Sequence, residues 1–472
     1  MNQTPIAVTF IVFLLLFILV GIYSATRASN TTTDYLLASR NVNPWLTGLS
    51  AMATQNSGLV FTGEVAFAYH KGISAIWLGL GWALGTYIAW WFIFKPLRQI
   101  SEAASCETFC SFLAHKIEGE RWISAISGLI IIVFLGSYAA AQLVAGSKAL
   151  NAVFGWNYNL GAIAGAAIVL IYCFSGGIRA SIWTDAVQGI IMMGSLLLLL
   201  AVGAIASGGI GELWGSLEAI DPALVNLTPP NLRFGLLPFI LGWIAVGFGV
   251  VGQPHIVARG MAIDSPQRMS LARDINFIGT VLVSSCALGI GLSARVLLPE
   301  LMASGDPELA LPYLSLELLP VVLVGLMLAG LFAATISTAD SQILSCSAAL
   351  TQDIFPQLAQ SYQFAKLGTV GVTAIVLGIA LTASDSVFTL VLFSWSALAS
   401  ALGPLALVRA WGKSVSMPVA VAMMLAGIAT AFTWKFGLHW SEVQGEVLPG
   451  MAAGILVFAV GRLFENEEDV NC

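Results

Sequence analysis

The chain has 472 residues, 58% of them hydrophobic and only 9% charged, with a mean hydropathy of +0.89. A soluble domain carries about 25% charged residues, so soluble enzymes, nucleic-acid binders and disordered modules are excluded in favour of an integral membrane protein with many helical spans. The formal charge of −6 carries little meaning by itself, because in a bilayer the side on which a charge lies matters more than the sum.

A membrane-crossing helix needs about 20 apolar residues. By that measure thirteen spans are predicted, at 5–26, 44–69, 73–95, 122–150, 159–177, 181–206, 235–258, 272–297, 319–350, 366–384, 387–409, 416–435 and 445–463. The first has no cleavage-site pattern and reads as a helix rather than a signal peptide. When the links are numbered alternately, one side holds 14 of the 19 Lys and Arg and the other holds 5, namely Lys71, Lys148, Arg233, Arg295 and Lys435. Basic residues mark the cytoplasmic side, which puts the N-terminus outside and the acidic tail 465–470 inside. Cys106 and Cys110 form a lone pair of thiols with no second pair, so neither a disulfide framework nor a zinc site is expected.

Two spans are interrupted. The second has Thr54-Gln55-Asn56-Ser57-Gly58 at its centre, a polar run poor in helix formers. The seventh carries Gly242, Gly247, Gly249, Gly252 and Pro254. Broken backbone at membrane depth is tolerated only where it lines a cavity. Counted after the first span, these are the first and sixth helices, the positions expected of two five-helix repeats that meet at a binding site. The divisions are then 1–43, a peripheral first helix and its link; 44–206 and 207–410, the two repeats; and 411–472, two peripheral helices and the tail.

The ninth span holds the most unusual face. Within 331–350, Ser337, Asp340, Ser341 and Ser345 recur at spacings of three and four and share one side of a helix. A carboxylate at membrane depth costs about 2.5–3.5 kcal/mol on insertion scales, so Asp340 needs a partner or a ligand. Hydroxyls and carboxylates are the oxygens a hard cation prefers, and this face is a candidate Na+ site. The alternative is close helix packing through small residues.

Other polar residues have two readings each. Asp185 either caps the helix it begins or serves an ion path. Glu64 is expected to snorkel to the interface, the alternative being selection of a cationic group. His255 reads as a structural hydrogen-bonding residue. The stretch 107–117 reads as a short amphipathic surface helix. Trp77, Trp82, Trp90 and Trp91 fit a helix with at least one interfacial end.

Several motifs together resemble a known family. They are Asp34-Tyr-Leu-Leu-Ala-Ser-Arg40 with Pro44-Trp45, Ser57-Gly58, Ser175-Gly-Gly177 with Trp183-Thr-Asp185 and Gln188, Gly252-Gln-Pro-His255, and Ser337-Thr338 with Gln342. In this order and spacing they resemble the sodium:solute symporters, most nearly the proline-carrying branch. The resemblance implies an all-α, inverted five-plus-five helix (LeuT-like) fold, with one extra helix before and two after. It implies a Na+ site built from the carbonyls of Ala53, Asn56 and Ala334 and the hydroxyls of Ser337 and Thr338. Some relatives hold a second Na+; the matching positions are Asp185, Ser337, Asp340 and Ser341. A substrate pocket is implied at Gln55, Ser57, Gly58, Val246, Val250 and Gln253. Here the chain departs from the proline branch, which carries an aspartate at the position of Gln55 and aromatics at those of Val246 and Val250.

The expected function is Na+-coupled import of a small organic solute, proline or another small amino acid, by alternating access, with no catalytic residues. A carrier of a different small carboxylate and a substrate sensor are the alternatives. The bilayer and the solute are the expected partners, with no nucleic acid and no obligatory protein. The four histidines fall in separate links or span ends, which argues against a membrane-embedded enzyme.

Overall fold

The computed structural model describes residues 3–29, 31–230, 232–358, 361–382, 386–441 and 445–464, and among these it is built from helices, with one isolated β-bridge between Val42 and Ile263. The acidic tail and the side chain of Ser175 lie outside the described residues, as do positions 383–384 of the tenth span.

All thirteen predicted spans are helical. In order they are α1 (Thr4–Ala25), the broken pair α2 (Pro44–Gln55) and α3 (Val65–Lys71), α4 (Ile76–Ala89), α5 (Glu120–Phe154), α6 (Tyr158–Ala206), the broken pair α7 (Leu236–Phe248) and α8 (Pro254–Ala262), α9 (Met269–Leu297), α10 (Val321–Ala348), α11 (Tyr362–Thr382), α12 (Val387–Ala410), α13 (Met417–Phe432) and α14 (Val447–Phe464). Two predicted spans share α6, which breaks at Gly177 with φ +55° and ψ −145°. A Cβ there would lie 2.4 Å from the Tyr35 carbonyl oxygen, so both conformation and space demand glycine. Length and apolarity alone mark ten crossing helices, or eleven when α7 and α8, bent by 61°, count as one. The two predicted spans that fall short are the first broken helix, whose α2 half has 12 residues, and the short stretch Tyr158–Ile171.

α10 is the axis of the molecule. From Met327 to Leu344 every residue is buried, because α10 packs against α1, α5 and α6 at once. α12 is buried as fully from Ser394 to Ala410. α1 instead presents Val8, Ile11, Val12, Leu15 and Leu19 outward, and α13 and α14 pair with each other on the flank of α12. Apolar exposure on the outer helices and polar burial on the inner ones is the inverse of a soluble protein, as a lipid solvent requires.

On the arginine-rich side, charged side chains tie links to helix ends. Arg40 donates to the carbonyls of Met261 (3.1 Å), Ser101 (3.0 Å) and Cys106 (2.6 Å). Asp34 accepts from Arg179, from the Ser29 N–H (2.9 Å) and from the Ser39 hydroxyl (2.7 Å). Burial pushes the Asp34 carboxyl up, but these donors outweigh it and hold it below the usual carboxylate range. On the opposite side Lys148 pairs with Asp306 (2.7 Å) and Glu308 (2.6 Å), while Glu308 also accepts the N–H groups of Val387 (3.2 Å) and Phe388 (2.9 Å) at the start of α12.

Two expectations are corrected. Glu64 does not snorkel: it is 4% exposed, turned toward Ser284 of α9, whose hydroxyl lies 3.3 Å from its carboxylate. The break two turns earlier rotates it into the bundle. The stretch 107–117 is no surface helix: its helical part, Phe109–Ala114, buries Phe109, Cys110, Phe112, Leu113 and Ala114. Trp82 and Trp90 are core residues, whereas Trp91 faces outward.

Candidate functional site

The α2 helix ends where its sequence stops favouring helix. Short polar side chains compete for backbone partners, and here they win. The Asn56 amide donates to the Met52 carbonyl (2.8 Å) and to the Thr280 hydroxyl of α9 (2.9 Å). The Ser57 hydroxyl accepts the Leu59 N–H (3.1 Å), and Gln142 of α5 accepts the Gly58 N–H (2.9 Å). A Cβ on Gly58 would sit 2.7 Å from Thr335 of α10, so the break is pressed directly against the central helix. The chain resumes as a π-helical turn, Val60–Glu64, leading into α3.

The hydroxyls of α10 meet the carbonyls this break exposes. Ser337 Oγ lies 3.3 Å from the Ala53 oxygen and 3.2 Å from that of Ala334. Thr338 Oγ1 lies 2.9 Å from the Thr54 oxygen and 3.0 Å from that of Ala334. Ala53, Ala334, Ser337 and Thr338 are thus brought together, with Asn56 closing the same break and Thr54 joining unforeseen. All six are buried. The donor set is neutral oxygen throughout, which suits a hard monovalent cation.

One turn further along α10 the character changes. Asp340 Oδ1 accepts from Ser181 (3.1 Å) and Ser341 (2.7 Å). Asp185 Oδ2 accepts from Ser50 (2.6 Å) and Thr54 (3.2 Å). Between them lies Arg259 of α8, 1% exposed, which pairs with Asp185 Oδ2 at 2.8 Å and donates to Ser50 (2.8 Å), Ser181 (3.0 Å) and Ser341. Asp185 stands eight residues past the break at Gly177, in the body of α6, so it is no helix cap. The predicted second-ion residues are assembled, but around a tethered guanidinium. Two carboxyl groups share one guanidinium, which among the described residues pairs with Asp185 alone. Asp185 Oδ1 and Asp340 Oδ2 have no hydrogen-bond partner among the described residues. Thr54 spans both clusters: its carbonyl serves the first and its hydroxyl the second.

The predicted pocket residues converge between the two breaks. Tyr138 of α5 donates to Ser57 Oγ at 3.2 Å. Gln253 Nε2 donates to the Trp395 carbonyl (3.0 Å), and Trp395 Nε1 donates to the Val246 carbonyl (2.8 Å). Val246 and Val250 are buried. Trp82 packs on Trp395 with ring centroids 4.4 Å apart, and His255 stands edge-on to Tyr138 at 6.0 Å. Both ring nitrogens of His255 lack partners among the described residues, so it does not make the hydrogen bond expected of it. Gln55 reaches Thr280 at 3.4 Å, and its carbonyl oxygen has no partner among the described residues. Trp82 of α4, Tyr138 of α5 and Trp395 of α12 are the aromatics near these residues.

Sequence reading missed Arg259, Tyr138, Gln142, Thr280 and Trp395. Trp395 carried a signal, since it lies mid-span among Ser and Ala rather than at an interfacial end. Arg259 carried one too, because it follows His255 by four residues and shares its helix face.

The sodium:solute symporter family model matches residues 35–427. The chain is 32% identical to the sodium/proline symporter of Escherichia coli, over 97% of this chain and 93% of that one. It is 31% identical to the high-affinity proline transporter PutP of Bacillus subtilis, over 94% and 95%. Among solved structures, a Na+-coupled sialic acid symporter in its substrate-bound outward-open state superposes with a TM-score of 0.81 at 20% identity, covering 98% of both chains. The nucleobase-cation symporter Mhp1 superposes at 0.60 with 15% identity, over 93% and 98%. The chain belongs to the sodium:solute symporter family.

Proposed function

We propose that this chain imports proline or a closely similar small amino acid, driven by Na+, through alternating access. The observation that carries the reading is the meeting of the Ser337 and Thr338 hydroxyls with the Ala53, Thr54 and Ala334 carbonyls across the first broken helix. A cation bound there holds α2 against α10, and that ordering completes the pocket beside it. Ion and solute are then coupled through a shared conformation. Each Na+ carries about 2.3 kcal/mol per 100 mV of membrane potential, besides its concentration gradient.

The pocket chemistry supports the solute class. The half-helix starting at Gly58 turns its N-terminal, partially positive end toward the break, a favourable place for a carboxylate. Tyr138, Trp82 and Trp395 offer faces for a small apolar ring, and Ser57, Gln55 and Gln253 offer polar contacts. The proline transporters named above lend further support. The Asp185 Oδ1 and Asp340 Oδ2 oxygens, without hydrogen-bond partners among the described residues, support a second Na+, held by Asp185, Ser337, Asp340 and Ser341. The arginine-rich side is the cytoplasm, the N-terminus is outside, and the repeats divide at 44–206 and 207–410.

The test is uptake into proteoliposomes of radiolabelled proline, other small amino acids and short carboxylates, with and without an inward Na+ gradient. Uphill, Na+-dependent accumulation of proline that is lost in Ser337→Ala and Thr338→Ala is the expected result. Accumulation of a different compound would replace the substrate, and Na+-independent uptake would overturn the coupling.

A further inference from the structure

A cavity of about 40 Å³ lies beside the charged cluster. Arg259, Ser341, Ser345, Ala348, Glu107 and Asp353 are among the residues that line it. Its volume is enough for a few water molecules. Asp353 is 5% exposed and terminates the helix that carries both ion clusters. Its Oδ1 accepts the Thr108 hydroxyl at 2.8 Å. Its Oδ2 is buried without a hydrogen-bond partner among the described residues, and no basic side chain pairs with it among the ion pairs of the described residues. A buried carboxyl oxygen on a cavity wall, with no ion pair among the described residues, needs a partner or a ligand.

We propose that Asp353 is a further cation site, a staging post that takes a hydrated monovalent cation, Na+ in the cell, as it leaves the Asp185–Asp340 cluster for the arginine-rich side. This rests on the Na+-coupled reading above and adds a release step to it. Two arguments on geometry support it. The cavity that Asp353 lines is also lined by Arg259 and Ser341 of the charged cluster, so the two places share one space inside the protein. The capping box of the short helix Phe109–Ala114, with Thr108 accepting the Ser111 N–H at 3.0 Å, holds the Thr108 hydroxyl on Oδ1 and leaves Oδ2 without a hydrogen-bond partner among the described residues. Thr108 is thereby a positioning residue, and Asp353 the ligand.

The experiment places a reporter thiol in the cavity wall by Ala348→Cys, with the six native cysteines replaced, in the full chain in detergent. Its reaction rates with a cationic and a neutral methanethiosulfonate of equal size are compared, in NaCl and in choline chloride of equal ionic strength. In choline, Asp353 should favour the cationic reagent on the order of tenfold. Na+ should bring the ratio toward one, and Asp353→Asn should abolish both the preference and the Na+ effect. Thr108→Val keeps the carboxylate and serves if Asp353→Asn does not fold; it should retain the preference but need more Na+ to suppress it. A preference unchanged in Asp353→Asn would overturn the proposal. So would Na+ slowing both reagents equally, which is the signature of the cavity closing rather than filling. Adding Ser337→Ala separates the two readings: the ratio and its Na+ response should persist there, even though coupled uptake is lost.

Discussion

Two oxygen clusters lie one turn apart on α10, and they solve the same problem differently. Around Ser337 and Thr338 every donor is a neutral hydroxyl or carbonyl. Around Asp340 the donors are carboxylates, and a cation is already present in the form of Arg259. A neutral cluster binds through dipoles, leaves no bare charge when empty, and so can fill and empty on each cycle. A charged cluster cannot be left bare in a low-dielectric interior, so a tethered guanidinium keeps it close to balance. The contrast teaches that burial cost, and not donor type alone, decides how a cluster of oxygens is held in the interior.

The largest effect should come from removing the tethered cation. Arg259→Ala leaves Asp185 and Asp340 uncompensated, and breaking a buried pair in this way costs about 3–5 kcal/mol. Folded protein, measured by fluorescence-detected gel filtration after heating, should fall sharply. Arg259→Lys should recover part of it, since an ammonium keeps the charge but not the fork. Wild-type-like stability in Arg259→Ala would erase the distinction between the two clusters.

Next in size are Ser337→Ala and Thr338→Ala. Each removes hydrogen bonds worth about 0.5–1.5 kcal/mol to stability, so the fold should persist while Na+-driven uptake falls on the order of tenfold or more. A variant that lost the fold instead would make the hydroxyls packing residues. Asp340→Ala then sharpens the charge argument: uptake should continue with fewer Na+ per solute, read from reversal potentials in proteoliposomes. An unchanged ratio would count against the second ion.

The smallest effect is expected outside the membrane, at Asp34. Its carboxyl is held below the usual range by its donors. The stabilisation is therefore complete above the unfolded value of about 4 and is lost as pH falls through the lower folded value. Asp34→Asn should remove this acid sensitivity at a cost of about 1 kcal/mol, measured as the change in melting temperature between neutral and acidic buffer.

Much of the fold was legible because the signals are local. Span length, the polar run at 54–58, the glycines before Pro254 and the hydroxyl spacing on α10 each belong to one short stretch. The cluster of hydroxyls and carbonyls around Ser337 and Thr338 was legible for the same reason, as one face of one helix opposite one break. Asp185 was seen, but not its pairing with Arg259, since that depends on α8 passing beside it. Glu64 was misread because an outer position along a span suggests an interface, whereas rotation about the helix axis, altered by the π turn, decides burial.

By itself the sequence determined that this chain crosses the membrane many times, where two of the helices must break, and which oxygens line the central one. These follow from composition and period, which the bilayer enforces residue by residue. Tertiary structure alone decided that Arg259 pairs with Asp185 beside Asp340, that Trp395 meets Trp82 and Tyr138, and that Asp353 and Arg259 line one cavity. Those depend on side chains far apart in the chain meeting in a medium of low dielectric, where the cost of an unpaired charge depends on its neighbours.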